Sequence, residues 1–183
     1  SLILQIKHYC LRFGLLLTLG VVGVTTANVS LDAVKSSALA TYGAETGAMI
    51  DQWIKMISKI RGLPDKDKLL YVNNFFNSRI KWIADIENWK EEDYWATPLE
   101  TMARRRGDCE DFSISKYITL VMAGMPDEKL RITYVKARID SASGAKNQAH
   151  MVLAYYPKPN AEPMILDNMV KDIVRGSLRK DLK

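Results

Sequence analysis

Residues 123–139 read AGMPDEKLRITYVKARI, and the hydrophobic period of the chain changes within them. Gly124-Met125-Pro126 closes a helical pattern, because glycine accepts the left-handed turn past a helix end and proline cannot continue the helix. From Leu130 onward, Ile132, Thr133, Tyr134, Val135 and Ile139 crowd together as β-branched and aromatic residues do in a strand. Helical spacing lies before this point and strand signals lie after it. Helices first and strands afterwards imply an α+β chain, with an antiparallel sheet packed on helices.

Upstream, residues 29–42 form a weakly patterned helix ended by Gly43. Met49, Ile50, Trp53, Ile54, Ile57 and Ile60 then recur at helical spacing and stop at Gly62. Leu63-Pro64-Asp65 is a turn and cap, and a third helix carries Leu69, Val72, Phe75, Phe76 and Ile80 on one side. Stripes of this kind are core. Residues 85–96 (DIENWKEEDYWA) have no clean period and read as a surface loop. Thr97-Pro98-Leu99-Glu100 combines a hydroxyl cap, proline at the first helical position and glutamate three after the cap. That helix runs to Gly107, with Arg104, Arg105 and Arg106 as its basic last turn. Asp108 caps the next helix, which reaches Ala123. Downstream, residues 149–156 and residues 163–166, running into Asp167, are further strands. Residues 141–147, with Gly144, read as the hairpin loop between the first two.

Composition is that of an ordinary globular chain: 183 residues, 48% apolar and 26% charged, with a net charge of +5. The N-terminus alters this arithmetic. Lys7 and Arg12 precede or open a twelve-residue apolar run at 13–24 (FGLLLTLGVVGV), followed by Thr25-Thr26-Ala27. This is the layout of a secretory signal peptide over residues 1–27, and the run is short for a membrane span. A single domain over 28–183 then remains, helical over about 28–125 and sheet-forming over about 126–183. Removing residues 1–27 leaves 24 basic against 21 acidic residues, a net of +3, and no nucleic-acid-binding surface follows. Repeats, low-complexity tracts and a glycine-rich phosphate loop are all missing from the sequence. The same removal takes away Cys10 and His8, leaving Cys109 and His150 as the single residues of their kinds. An exported chain with one cysteine has no internal disulfide to make with it, so the thiol points to a use.

Cys109 falls at the first helical position after its cap, where exposed N–H groups and the helix dipole favour a thiolate. His150 lies in the second strand on the face of Val152 and Ala154, and Asp167 ends the third, where an adjacent strand could bring it beside His150. Nucleophile, base and orienting carboxylate in those places suit nucleophilic catalysis. Singly, each has a plainer role: a buried thiol, a core histidine, a turn aspartate. Order and uniqueness together favour catalysis. The stretch 104–112 (RRRGDCEDF) also sets Asp108, Glu110 and Asp111 around the thiol. These acids stabilise a helix start by roughly 0.3–1 kcal/mol each, yet they oppose thiolate formation. They also form a cluster of hard oxygen ligands suited to Ca²⁺, although the spacing is not that of an EF-hand. A bound cation would cancel the field that opposes the Cys109 thiolate.

Five stretches carry a family resemblance: 93–100 (DYWATPLE), 107–112 (GDCEDF), 130–135 (LRITYV), 147–156 (NQAHMVLAYY) and 166–168 (LDN). They resemble the LapG family of bacterial transglutaminase-like cysteine proteinases over most of residues 45–175. The resemblance implies a papain/transglutaminase-like fold and a Cys–His–Asp triad of Cys109, His150 and Asp167. It implies calcium dependence, with Asp108, Glu110 and Asp111 as ligands. It further implies a periplasmic endopeptidase that cuts the N-terminal region of a very large surface adhesin near a pair of alanines, releasing it and dispersing biofilm. An inner-membrane receptor that senses cyclic di-GMP would be the partner that sequesters the protease. The family pattern also leads one to expect a further C-terminal strand beyond Lys183. The Cys109 backbone N–H would contribute to an oxyanion hole, with Trp95 and Gln148 as candidates for the second donor. The same residues are compatible with a transglutaminase-type acyl transferase, or with a non-catalytic module that binds a peptide in the groove.

Overall fold

The computed structural model describes residues 30–141 and 144–183. The signal peptide expected at 1–27 lies outside them. Three helices come first: α1 (Leu31–Tyr42), α2 (Ala44–Ile60) and α3 (Asp65–Arg79). Ser30 caps α1 by accepting from the Ala33 N–H at 3.3 Å, and Gly43 ends it with φ 77°, a value glycine alone adopts freely. The apolar stripe of α2 is buried as its spacing requires, with Ile50, Ile57 and Ile60 fully enclosed. Trp53 lies among them, and its indole N–H donates to Thr119 Oγ1 at 2.9 Å, so the one polar atom of a buried ring is satisfied.

Two very short strands, β1 (Lys81–Trp82) and β2 (Arg106–Gly107), pair in parallel and flank the helices α4 (Asp85–Asn88) and α5 (Pro98–Arg104). Then α6 (Cys109–Met122) leads through a 3₁₀ turn (Asp127–Lys129) into a four-stranded antiparallel sheet. Its strands are β3 (Leu130–Ser141), β4 (Gly144–Tyr155), β5 (Met164–Leu166) and β6 (Val174–Arg175), hydrogen-bonded in that order. The α+β expectation with helices on an antiparallel sheet therefore holds. Leu153, Tyr155 and Leu166 join the helical core of Trp53, Phe76, Met102 and Leu120. Val152, Ala154 and Ile165 form a second, smaller cluster, covered by Val135, Tyr156 and Leu182.

The C-terminal residues run as a strap. After a 3₁₀ turn at Gly176–Leu178, the chain passes from the β6 side of the sheet to the outer edge of β3. There Lys136 N–H donates to Lys183 O at 2.8 Å, Lys183 N–H to Lys136 O at 2.9 Å, and Arg138 N–H to Asp181 O at 2.7 Å. Leu182 packs on the smaller cluster along the way.

Four local readings change. The hairpin loop expected at 141–147 is far tighter, since Ser141 already pairs with Gly144. Residues 144–149 are all exposed, so that half of β4 carries no buried face and no alternation to read. Residues 85–96 are not simply a surface loop: they open with α4, and Asp85, Asn88 and Ala96 are buried. The three arginines are not one helical turn. Arg104 ends α5, Arg105 takes a left-handed cap (φ 53°), and Arg106 pairs in β2. Arg104 instead bridges elements, donating to Asn88 O at 2.7 Å with its guanidinium 3.9 Å from the Trp89 ring centre. Finally β1, β2 and β6, each two residues long, are too short to leave a periodic signal.

Candidate active site

The site forms where α6 meets β4. Asp108 precedes α6 in extended conformation, and its backbone N–H donates to Asp111 Oδ2 at 3.4 Å, as expected for an acid three residues after a cap. Cys109 is the first residue of the helix and half-buried. β5 pairs with β4 only from Leu153 onward. Just before that point Met151 turns its backbone to α6 instead: its carbonyl accepts from Ser113 Oγ at 3.2 Å, and its N–H lies against the Cys109 sulfur. Ser113 Oγ also meets Cys109 O at 2.8 Å, which ties the first turn of α6 to the strand that carries His150.

His150 Nε2 lies 2.8 Å from Asp167 Oδ1, and both side chains are almost wholly enclosed. With Nε2 facing a carboxylate, the imidazole is held as the tautomer whose Nδ1 is free. Asp167 is gripped on every side. Its Oδ1 also accepts from Met169 N–H at 3.0 Å, its carbonyl accepts from Asn77 Nδ2 at 2.7 Å, and its Oδ2 forms an ion pair with Arg179 Nη2 at 2.7 Å. Burial alone would push this carboxyl up. The hydrogen bond and charge of His150, the Met169 N–H and Arg179 outweigh it and hold the carboxyl at about 2. Sequence reasoning missed Arg179, a basic residue in a stretch without apolar pattern.

The acids around the thiol are more numerous than the sequence indicated. Asp85, Asp108 and Asp111 present carboxylate oxygens within 4.8 Å of one another, and so do Asp85, Asp93 and Glu110. Asp85 and Asp93 come from the segment read as a surface loop, which the chain folds back onto the start of α6. Asp85 Oδ2 accepts from Tyr94 N–H at 2.6 Å, and Asp111 Oδ1 from Ala96 N–H at 2.8 Å. Asp85 Oδ1 and Asp108 Oδ1 are buried without a hydrogen-bond partner among the described residues. Burial first, then mutual repulsion, raises the carboxyl of Asp85, lifts Asp111 to about 7 and Asp108 to about 9. Cys109 is raised as well, by burial and then by Glu110, whose Oε2 accepts from the thiol at 2.9 Å; the Met151 N–H acts the other way. Crowded carboxylates with unpartnered buried oxygens are what a hard divalent cation stabilises, so these residues fit Ca²⁺. Trp95 and Gln148 sit less favourably for an oxyanion hole: the Trp95 indole N–H is engaged by Asp93 Oδ1 at 2.9 Å, and Gln148 is exposed on the outer half of β4.

A helix-start cysteine packed against an antiparallel strand that bears a carboxylate-paired histidine defines the papain/transglutaminase-like class. Comparison with known proteins agrees. The description "bacterial transglutaminase-like cysteine proteinase" matches residues 55–178. Among solved structures, calcium-bound LapG of Legionella pneumophila is 39% identical, with a TM-score of 0.73 over 85% of this chain and 81% of that one. The EGTA-treated form of the same protein, also 39% identical, gives 0.71 over 85% and 79%. Curated proteins offer no significant match. The chain belongs to the bacterial transglutaminase-like cysteine proteinases, the LapG family.

Proposed function

We propose that this chain is a calcium-dependent periplasmic endopeptidase that cuts the N-terminal region of a large surface adhesin, releasing it from the cell and dispersing biofilm. The observation that carries the reading is the pairing of His150 Nε2 with Asp167 on the strand whose next residue, Met151, contacts the Cys109 sulfur. Cys109 attacks the scissile carbonyl, forming the C–S bond as its proton passes to His150 Nδ1. The Cys109 N–H faces the developing oxyanion from the helix start. His150 then protonates the leaving amine, and the thioester is hydrolysed by water that His150 deprotonates. Asp167 holds the imidazole and stabilises its cationic form.

Asp85, Asp93, Asp108, Glu110 and Asp111 would hold Ca²⁺. When bound, the ion supplies positive charge that offsets the acids beside the thiol. The calcium-bound relative at 39% identity supports this reading. The periplasmic location, the adhesin substrate and a receptor that senses cyclic di-GMP rest on the family resemblance and on the signal-peptide pattern.

Cys109→Ala should abolish cleavage of an adhesin N-terminal fragment while circular dichroism stays that of the wild type. Excess chelator should stop the wild-type enzyme, and calcium should restore it. A Cys109→Ala variant that still cuts the fragment would overturn the assignment.

A further inference from the structure

We propose that Arg179 is a positioning residue for the reaction, delivered to the site by the C-terminal strap. This rests on the reading of Cys109, His150 and Asp167 as the catalytic set. Arg179 is buried although it is a cation, at the end of the short 3₁₀ turn Gly176–Leu178. Burying a guanidinium is costly unless it is paired; here Nε and Nη2 are used, while Nη1 is buried without a hydrogen-bond partner among the described residues. Nη2 lies 2.7 Å from Asp167 Oδ2. Nε and Nη2 also donate to Asp181 Oδ1 and Oδ2 at 2.8 and 2.6 Å, a two-pronged grip that stops the head group from swinging. Asp181 is itself fixed, since its carbonyl accepts from the Arg138 N–H of β3.

The consequence falls on Asp167. A carboxylate held only through Oδ1 could rotate and offer either oxygen to the imidazole. With Oδ2 committed to Arg179, Oδ1 alone remains for His150 Nε2 and Met169 N–H. Either oxygen would keep the imidazole proton on Nε2; what Arg179 fixes is the angle of the carboxylate, and with it the ring that presents Nδ1 to the thiol. The charged groups facing Asp167 are His150 from β4, Arg179 from the strap with Asp181 behind it, and Lys116 from α6. Only Arg179 touches the second carboxylate oxygen among them.

The test compares Arg179→Met, Arg179→Lys and Asp181→Asn in the full chain, by kinetics on the adhesin fragment and by ¹⁵N NMR of the His150 imidazole. His8 is the other histidine, and a His150→Ala spectrum assigns the signals. Arg179→Met should lower kcat on the order of tenfold to a hundredfold, with KM within about threefold, and should shift or broaden the His150 Nε2–H signal as the carboxylate is freed to rotate. Arg179→Lys, with one charge but no fork, should recover part of both. Should Arg179→Met fail to fold, Asp181→Asn keeps the arginine and should give a smaller loss with the same kind of change in the Nε2–H signal. Wild-type kcat in a folded Arg179→Met, or in Asp181→Asn, overturns the proposal. So does a loss of kcat with the wild-type Nε2–H signal retained, which would mark Arg179 as merely structural. The NMR arm needs no substrate, so it reads the positioning role even where the fragment is not the substrate.

Discussion

At the scale of single residues, the thiol and its acidic neighbours set the main tension. A helix start should favour the Cys109 thiolate, yet burial and the Glu110 carboxylate on the sulfur push its proton affinity up. Burial first, and then the Glu110 carboxylate, outweigh the helix dipole. Calcium should offset the part that comes from the acids. Alkylation of Cys109 by iodoacetamide near neutral pH, followed on its own tryptic peptide so that Cys10 does not interfere, should be at least about tenfold faster in calcium than in chelator. Equal rates in the two buffers would mean that the acids act only as helix caps. The placing of Cys109 and its neighbours at a helix start was legible because cap chemistry is local: Asp108, Cys109 and Asp111 obey rules that span four residues. Asp85 and Asp93 were not. Their approach to Glu110 depends on how a segment with no periodicity folds back, and neighbouring residue types do not encode that.

At the scale of elements, the join between β2 and α6 carries two predictions. Gly107 reads in the sequence as a helix break, but its need is spatial: a Cβ there would stand 2.7 Å from both Asp111 Cβ and Asp111 Oδ2. Gly107→Ala should therefore cost roughly 1–3 kcal/mol in urea unfolding and weaken calcium binding, because Asp111 must move. Calorimetry with calcium would detect the second effect, and unchanged affinity would show that Asp111 is no ligand. The acidic cluster also predicts a pH dependence. Asp111 at about 7 and Asp108 at about 9 both lie above their ordinary value of 3.8, so the folded protein without metal binds more protons than the unfolded chain between those limits. Its stability is then greatest at low pH in this range and falls as pH rises. In excess chelator the thermal midpoint should drop from pH 5.5 to pH 8.5, and calcium should flatten that slope. An identical slope with calcium would sink the idea. Helices α2, α3 and α6 were readable from their stripes and caps. The outer half of β4 was not, since six exposed residues in a row leave no face to recognise.

At the scale of the whole molecule, the strap ties the sheet to the site. Ending the chain after Gly176 removes the Lys183 and Asp181 pairings with β3, uncovers the Val152, Ala154 and Ile165 cluster and takes Arg179 from Asp167. The shortened protein should melt on the order of 5–10 °C lower and lose proteolysis, although Cys109, His150 and Asp167 all remain. Full activity on the fragment would show that the strap is dispensable. What the sequence alone determined was the class of fold, the helix that starts at Cys109 and the identities of Cys109, His150 and Asp167 as candidates. These follow from short-range rules of period, capping and residue type. Only the tertiary structure decided that Asp85 and Asp93 join the acids and that Arg179 backs Asp167. Those meetings occur between residues tens of positions apart or on unpatterned segments. They are fixed by the packing of α6 against β4 and by the path of the strap, and no local rule carries that information.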